Sequence, residues 1–229
     1  VNPSGDASTV SNSEPSGTSP CSGGSPINCD LPPAGDGAGQ GGQMSSMAVI
    51  NNGFIYVIGG CTSVAVNNVC ETGGTSAVSG NVSYAALNSV GQMVAPPSCI
   101  APNTTYGLWC VDNTNRINGT AGVAAASATV FNNTIYVIGG TNGAAWQANV
   151  WGVLLNADGS LSGAWSTQTF ANLALGTSRG YSYAFTRSNP SSATYPGNLY
   201  VLGGCYIAGG GTGDDGIGCN TYFSEVYKC

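Results

Sequence analysis

The chain has 229 residues, of which only 6% are charged, and its formal net charge is −6. It contains 36 glycines, no histidine and four cationic residues, which are Arg116, Arg179, Arg187 and Lys228. So few positive charges argue against nucleic acid or an anionic membrane as a partner, because both need a basic surface. The absence of histidine removes the commonest general acid–base residue, so no Ser-His-Asp triad is expected. No apolar run approaches the roughly 18 residues of a membrane span.

The first elements along the chain are two predicted β-hairpins. The segment VNPSGDASTV places Asn2 and Gly5 in a turn. A β-prone segment ending in MAVI then leads through Asn-Asn-Gly into GFIYVIGGC, residues 53–61. Asn and Gly adopt positive φ angles readily, so this pattern predicts an antiparallel hairpin. The segment SYAALNSVGQM, residues 83–93, predicts a second hairpin around a turn at residues 88–91.

The same pattern returns twice further along the chain. VAAASATVF leads into NTIYVIGGT, and GYSYAFTR leads into GNLYVLGGC. VWGVLLNADGSL, residues 150–161, repeats the second hairpin with its turn at 156–159. The tyrosine of each double-glycine strand marks one repeat position, which is occupied by Tyr56, Tyr136 and Tyr200. The next strand of each repeat carries an aromatic residue, which is Tyr84, Trp151 and Tyr227 in turn. Such internal repetition predicts stacked four-stranded units.

These motifs resemble a known repeat. The Y-V-[IL]-G-G strand, the following hairpin with an aromatic strand and the trailing Trp165 are similar to the kelch repeat, in the form found in secreted microbial proteins. The resemblance covers essentially the whole chain. It implies an all-β fold of kelch-like β-propeller blades, about three four-stranded antiparallel blades with one split between the termini, within a larger ring or a multi-chain assembly. It also implies that the double glycine lets inner strands crowd the propeller axis, where a Cβ would clash.

The repeat divides the chain into five predicted parts. Residues 1–40 hold the fourth strand of a split blade and an inter-blade loop, 41–96 form a blade, 97–121 form an inter-blade loop, 122–167 form a blade, and 168–229 form a blade that lacks its fourth strand. The C-terminal EVYKC followed by the N-terminal VN matches VSYAALN. Three interpretations remain open: a fragment of a longer propeller, a blade completed by another copy, and an open stack.

The nine cysteines include no C-x-x-C pair, which argues against a zinc knuckle or a thioredoxin-like site. Equivalent positions in the repeat predict four disulfides, Cys21–Cys29, Cys61–Cys70, Cys99–Cys110 and Cys205–Cys219, and leave Cys229 unpaired or intermolecular. Disulfides indicate an oxidising compartment, so we expect an extracellular or cell-surface location. Four sequons make the chain a candidate glycoprotein, at Asn81, Asn103, Asn118 and Asn132.

Few residues point to a ligand. The Asp214–Asp215 pair fits either a calcium loop or a solvated loop tip, and we favour the loop tip. The three repeated tyrosines are interpreted as core packing rather than as a sugar-stacking ladder. The expected binding surface is the set of variable loops, residues 62–69, 100–109 and 206–218, with Tyr106 and Trp109 as ligand-loop candidates. No catalytic, cofactor-binding or metal-binding residue is predicted, and no cofactor.

The predicted function follows from these features. We expect a non-catalytic extracellular kelch-like module that acts in adhesion or as a building block of a surface or filamentous assembly, with strand completion between copies as one route. The alternatives are a glycan-binding module and the non-catalytic portion of a larger carbohydrate-active or oxidase enzyme. The expected partners are other copies of the chain or further blades of the same longer chain, with glycans as a further class. Nucleic acid and membrane insertion are not expected.

Overall fold

A computed structural model describes residues 45–61, 78–100, 102–168, 177–188, 197–206 and 219–228. The predictions that involve Cys21, Cys29, Cys70, Asp214, Asp215 and Cys229 lie outside these residues. The described part of the chain is all-β, with antiparallel strands, one short 3-10 turn at Gly119–Ala121 and no α-helix. No helix within those ranges has the length and hydropathy of a membrane span.

Fifteen strands follow one another along the described chain. In chain order they are β1 (Met47–Asn51), β2 (Phe54–Ile58), β3 (Val82–Leu87), β4 (Met93–Val94), β5 (Thr104–Tyr106), β6 (Trp109–Asp112), β7 (Ser127–Phe131), β8 (Thr134–Ile138), β9 (Val150–Leu154), β10 (Ser166–Thr167), β11 (Tyr183–Ser188), β12 (Gly197–Leu202), β13 (Cys205–Tyr206), β14 (Thr221–Tyr222) and β15 (Val226–Lys228). Their pairing follows the sequence repeat.

The strands form three kelch-like propeller blades, as the repeat predicts. Blade 1 has the order β1-β2-β3-β4, and blade 2 has the order β7-β8-β9-β10. Blade 3 shows the order β11-β12-β15 among the described residues, beside a small ribbon of β13 and β14. The first hairpin of each blade keeps one register, since Tyr56 lies opposite Val49, Tyr136 opposite Thr129 and Tyr200 opposite Phe185.

The turn chemistry explains these hairpins. Asn52 and Gly53 have φ angles of 46° and 78°, and Asn132 and Asn133 have φ angles of 47° and 59°. A two-residue hairpin turn with both central φ angles positive matches the right-handed twist of its strands, and asparagine and glycine tolerate those angles. The sequence therefore places these two turns where the structure has them.

The position of the double-glycine strand differs from the expectation. β2, β8 and β12 are the second strands of their blades, each lying between a first strand and a third strand. The first strands make the contacts between blades on the inner side, since β1 contacts β7 and β7 contacts β11. The expectation that the double-glycine strands crowd the axis is therefore wrong, because the preceding strands occupy that edge.

The core lies between blades rather than within one sheet. We call the side of a blade that points to the next blade its front face, and the opposite side its back face. The front face of blade 1 packs against the back face of blade 2, with buried residues that include Tyr56, Ile58, Ile135, Val137 and Trp151. The front face of blade 2 packs in the same way on blade 3, with buried residues Ile138, Val150, Ala184, Leu199 and Val201.

Residues 97–121, expected to be an inter-blade loop, contain a hairpin of β5 and β6. Strand β6 extends the sheet of blade 1, because it pairs with the first half of β3 while β4 pairs with the second half. The disulfide Cys99–Cys110 attaches this hairpin, with 5.5 Å between the two Cα atoms. Trp109 of β6 then packs with Val57 and Ala85 on the back face of blade 1.

Candidate functional site

The junction between blades 1 and 2 is built around Tyr56. Its hydroxyl donates a 3.0 Å hydrogen bond to the carbonyl of Gly159, in the β9–β10 turn of the next blade. A Cβ on Gly159 would come within 2.4 Å of the Phe54 ring, so the glycine lets the aromatic strand approach. The pKa of the Tyr56 hydroxyl is well above its ordinary value, mainly because the group is buried and to a smaller extent because Tyr84 and Asp158 lie nearby. The hydroxyl therefore stays protonated and serves as a donor between blades.

The double glycines form a second recurring contact between blades. Gly60 N–H donates to the carbonyl of Val123 at 2.9 Å, and Gly140 N–H donates to the carbonyl of Arg179 at 2.6 Å. A Cβ on Gly59 or on Gly139 would lie 2.1 Å from the same two carbonyl oxygens. Each glycine pair therefore receives the backbone of the segment that leads into the next blade. Among the described residues, Gly204 N–H has no corresponding carbonyl partner.

Arg179 connects blades 2 and 3 and is a residue whose role sequence reasoning missed. Its side chain is fully buried, and its Nη1 donates to the carbonyl of Gly203 at 3.2 Å and to Glu225 Oε2 at 3.4 Å. The guanidinium also lies 4.1 Å from the centre of the Phe223 ring. Cation–π contact and charge pairing offset the cost of burying this charge. A sequence signal existed, since Arg179 precedes β11 as Val123 precedes β7.

The front face of blade 3 is uncovered by the described residues. Tyr183 and Phe185 on β11 are 68% and 38% exposed, although both side chains are large and aromatic. Phe185 stacks on Tyr200 with 5.0 Å between ring centres, and Tyr183 lies 6.2 Å from Phe185. The equivalent residues of blade 2, Ser127 and Thr129, are buried beneath blade 3. We call the surface formed by Tyr183, Phe185 and Tyr200 the blade 3 front surface.

A cleft of about 320 Å³ lies at the end of this surface. Its lining residues are Arg187, Ser188, Asn198, Tyr200 and Lys228. The cleft thus brings together two of the four cationic residues of the chain, although the net charge is −6. These groups offer donors beside an aromatic ring, which suits contact with carbonyl or carboxylate oxygens.

A second, smaller cleft of about 210 Å³ lies between blades 1 and 2 and has polar walls. Asp158 accepts hydrogen bonds there from the hydroxyls of Ser98 at 2.5 Å and of Ser160 at 2.7 Å. The bonds from Ser160 and then from Ser98 lower the pKa of the Asp158 carboxyl below its ordinary value of 3.8. Within the described ranges, no group of three or more His, Cys, Asp or Glu side chains could hold a metal ion. The serine bonds give Asp158 a structural role across the junction.

The two ligand-loop candidates occupy different environments. Trp109 is only 2% exposed and packs on Val57 and Ala85, while Tyr106 is half-buried at the tip of the β5–β6 hairpin. A ligand at the described surface therefore cannot stack on Trp109 without displacing it. Only Tyr106 keeps part of its ring accessible.

The four sequons also differ in accessibility. Asn81 is 6% exposed inside blade 1, so its amide is shielded in the folded chain. Asn103 and Asn118 are half-buried, and the Asn118 amide donates to the carbonyl of Gly122 at 3.1 Å. Asn132 is exposed at the β7–β8 turn. Accessibility therefore favours Asn132 over Asn81 as an attachment point for a glycan.

Two of the four predicted disulfides are present in the described residues, Cys99–Cys110 and Cys205–Cys219. Cys61 is also disulfide-bonded, but its partner lies outside the described residues. The two pairs join cysteines that are 11 and 14 residues apart in the sequence. Such pairs indicate an oxidising setting.

Comparison with known proteins fits this architecture. The kelch motif matches residues 123–151, which span β7, β8 and the beginning of β9. The chain carries a kelch repeat. Blades 1 and 3 reproduce the kelch hairpin and its glycine pair, so the kelch pattern continues on both sides of the matched segment.

Two further comparisons concern whole chains. Among solved structures, 120 chains match, including one described as the structure of YjhT, with a TM-score of 0.44 and 12% sequence identity. The match covers 82% of this kelch chain and 42% of YjhT, so the chain spans less than half of that protein. No curated protein sequence matches the chain.

Proposed function

We propose that this chain is a non-catalytic, extracellular kelch propeller module that acts in adhesion or as a building block of a surface or filamentous assembly. The observation that carries the proposal is the blade 3 front surface. The same side of blades 1 and 2 forms the two blade junctions within the chain. On blade 3 that side leaves Tyr183 68% exposed. Contiguous exposed aromatic surface marks a contact site rather than a solvated face.

The chemistry of the rest of the chain supports a contact role. Asp158 and Arg179 are two charged groups at the blade junctions, and they are held by serine hydroxyls, by carbonyls and by Glu225. With no histidine in the sequence, the usual general base is missing as well. The disulfides Cys99–Cys110 and Cys205–Cys219 support an extracellular location, because such bonds persist in oxidising compartments.

The test is whether the chain forms larger species through this surface. The full chain would be secreted into an oxidising compartment, purified without reductant, and examined by sedimentation velocity and negative-stain electron microscopy. We expect species larger than one 22.8 kDa chain, and we expect Phe185→Asp to reduce them to single chains. Leu154→Asp is the matched control, because Leu154 is 52% exposed on blade 2, away from that surface. Single chains at every concentration would refute the assembly role.

A further inference from the structure

We infer that the cleft of about 210 Å³ between blades 1 and 2 binds one neutral sugar unit, which is a ring rich in hydroxyl groups and free of charge. The inference goes beyond the proposed function, because the described residues that line this cleft all lie within residues 84–161 and none belongs to the blade 3 front surface. The cleft has the volume of about seven water molecules, which suits a single ring rather than an oligosaccharide.

Three segments build the cleft. They are the loop at residues 98–103 before β5, the turn at residues 112–115 after β6, and the β9–β10 turn of blade 2. The disulfide Cys99–Cys110 ties the first segment to β6. The sheet of blade 2 has four strands and, among the described residues, no counterpart of the β5–β6 hairpin. The cleft is therefore an addition to the repeat, and insertions into a repeat commonly form its binding face.

The two carboxylates of the cleft have spare acceptor capacity. Asp158 Oδ1 accepts from the N–H and the hydroxyl of Ser160, whereas its Oδ2 accepts only from the Ser98 hydroxyl. Asp112 Oδ1 accepts from two backbone N–H groups, whereas its Oδ2 accepts only from the Asn115 side-chain amide. Each carboxylate oxygen can accept two hydrogen bonds, so each Oδ2 keeps one free acceptor site. Two hydroxyl groups of a ligand would fill both sites.

The burial of Asp112 strengthens this argument. The residue is only 1% exposed, although it lines the cleft. Buried polar atoms in proteins have their hydrogen-bonding capacity met in the great majority of cases, because an unmet site costs free energy. The free acceptor site of Asp112 Oδ2 therefore indicates that a donor from outside the chain occupies the floor of the cleft.

The charge of the cleft selects a neutral ligand. Asp112 and Asp158 line it, and no cationic side chain occurs among its described lining residues. An anionic ligand would be repelled by both carboxylates at short range. The side chains of Asn103 and Asn115 add amide donors and acceptors without charge. A sugar matches this set, since each of its hydroxyl groups both donates and accepts.

The cleft also offers the apolar contact that a sugar ring needs. Ile100 is 72% exposed and Pro102 is exposed, and both line the cleft together with the buried Leu161. Ligand sites in proteins combine apolar walls with a few placed polar groups. The C–H face of a sugar ring fits the aliphatic side chains, while its hydroxyl groups face the carboxylates.

The experiment measures ligand binding to the full chain by saturation-transfer NMR. Secretion into a bacterial periplasm lets the disulfides form and leaves the sequon residue Asn103 without a glycan. The neutral probes are the methyl pyranosides of glucose, galactose and mannose, and glucuronate is the anionic counterpart. We expect saturable binding of at least one neutral probe and binding of glucuronate that is about tenfold weaker or less. Absence of saturable binding for all three neutral probes, or equal binding of glucuronate, would overturn the inference.

Two variants locate the bound sugar. Ile100→Ser should weaken binding about fivefold, because it removes apolar surface from an exposed position that the fold does not need. Asp158→Asn should weaken binding about tenfold, because an amide replaces the charged acceptor. Ile50→Ser is the matched control, since Ile50 is 64% exposed on β1 and does not line the cleft. Circular dichroism checks that each variant folds. Native affinity in both cleft variants would place the sugar elsewhere and overturn the assigned site.

Sugar binding and self-association are measured independently, so the two proposals fail separately. Larger species that bind none of the neutral probes would overturn this inference and leave the proposed function standing. Single chains that bind a neutral probe, and lose it in Ile100→Ser, would refute the assembly role and support the sugar site.

Discussion

At the scale of residues, one repeat position has three environments. Tyr56 is 1% exposed and bonds across a junction, Tyr136 is half-buried against the core between blades 2 and 3, and Tyr200 lies on an uncovered face. The three side chains have the same place in their hairpins, so their differences come from what lies in front of each blade. Tyrosine suits this position because its ring packs in the core while its hydroxyl reaches the next turn.

Tyr56→Phe tests the value of that hydroxyl. The substitution keeps the ring and removes the bond to the Gly159 carbonyl, which leaves a buried acceptor without its donor. We expect a loss of about 1 kcal/mol in the free energy of unfolding. Urea denaturation followed by circular dichroism measures it. Tyr106→Phe is the control, since that ring is half-buried outside the junction, and an equal loss in both variants would contradict the assigned role.

The same residue predicts a dependence on alkaline pH. The pKa of Tyr56 is raised in the folded chain, chiefly by burial, so the folded state holds this proton more tightly than the unfolded state. The stability it contributes is complete below the unfolded pKa of about 10 and is lost as the pH rises above it. We expect Tyr56→Phe to lose less stability than the native chain between neutral pH and pH 11, measured as the shift in Tm. Identical shifts would show that Tyr56 does not titrate in this way.

Asp158 predicts a dependence on acidic pH. Its pKa is lowered in the folded chain by the bonds from Ser160 and Ser98. The stabilisation is therefore present above the ordinary pKa of 3.8 and is lost as the pH falls through the lower folded value. We expect Tm of the native chain to fall more between pH 5 and pH 3 than that of Asp158→Asn. Ser98→Ala should give an intermediate response, because it removes one of the two donor side chains. A native profile that matches Asp158→Asn would rule out the linkage.

At the scale of elements, the glycine pairs act at the joints between blades. Gly139 has a φ angle of 68°, and a Cβ there would meet the Arg179 carbonyl, which is backbone and cannot rotate away. The function of the pair is to admit the chain that begins the next blade. The repeat preserves it because every junction between neighbouring blades needs the same close approach.

Gly139→Ala separates this steric role from the φ angle alone. We expect a loss of about 3 kcal/mol, from left-handed backbone strain together with overpacking against Arg179. Gly119→Ala is the control, because its φ angle is 60° and its Cβ would meet nothing within 4 Å, so about 1 kcal/mol is expected. Chemical denaturation of both variants gives the comparison. Equal losses would show that the close contact with Arg179 does not matter.

The sequence predicts the hairpins well because turn residues and β alternation act locally. Asn52–Gly53 and Asn132–Asn133 lie where the pattern places turns, and the register of the first strands follows from those turns. The repeat alignment places Tyr84 and Trp151 at equivalent positions of the third strand, but the structure does not. Tyr84 lies opposite Tyr56, whereas Trp151 lies opposite Val137, which is one residue after the equivalent Tyr136. A slip of one residue moves a side chain to the other face of a strand, and loop lengths alone do not reveal it.

The contacts between blades were harder to predict because they depend on residues distant in sequence. Trp109 was expected in a ligand loop, but β6 extends the sheet of blade 1 and places the indole on Val57 and Ala85. The repeat aligns Arg179 with Val123, but the partners of its guanidinium, Gly203 and Glu225, come from a later part of the chain. The number of charged residues in a sequence does not show which of them pair across a blade junction. That pairing follows only once the order of the blades is known.

At the scale of the whole molecule, stability is expected to depend on the sum of blade junctions. Each blade contacts its neighbours in the chain, and no single sheet buries all of its own apolar residues. Repeat architectures of this kind gain stability with each added interface. Association through the blade 3 front surface, as we propose, would add a further interface to the two junctions inside the chain.

The final prediction follows from mass action. If copies associate through the blade 3 front surface, the free energy of unfolding includes their association. Raising the protein concentration tenfold then stabilises each associated pair by about 1.4 kcal/mol. For a chain of this length we expect Tm to rise on the order of 2 °C per tenfold step. Differential scanning calorimetry over two decades of concentration measures this, and Tyr200→Arg should show no dependence. A native Tm independent of concentration would mean that blade 3 keeps its front surface uncovered in solution, because an added junction must appear in the unfolding equilibrium.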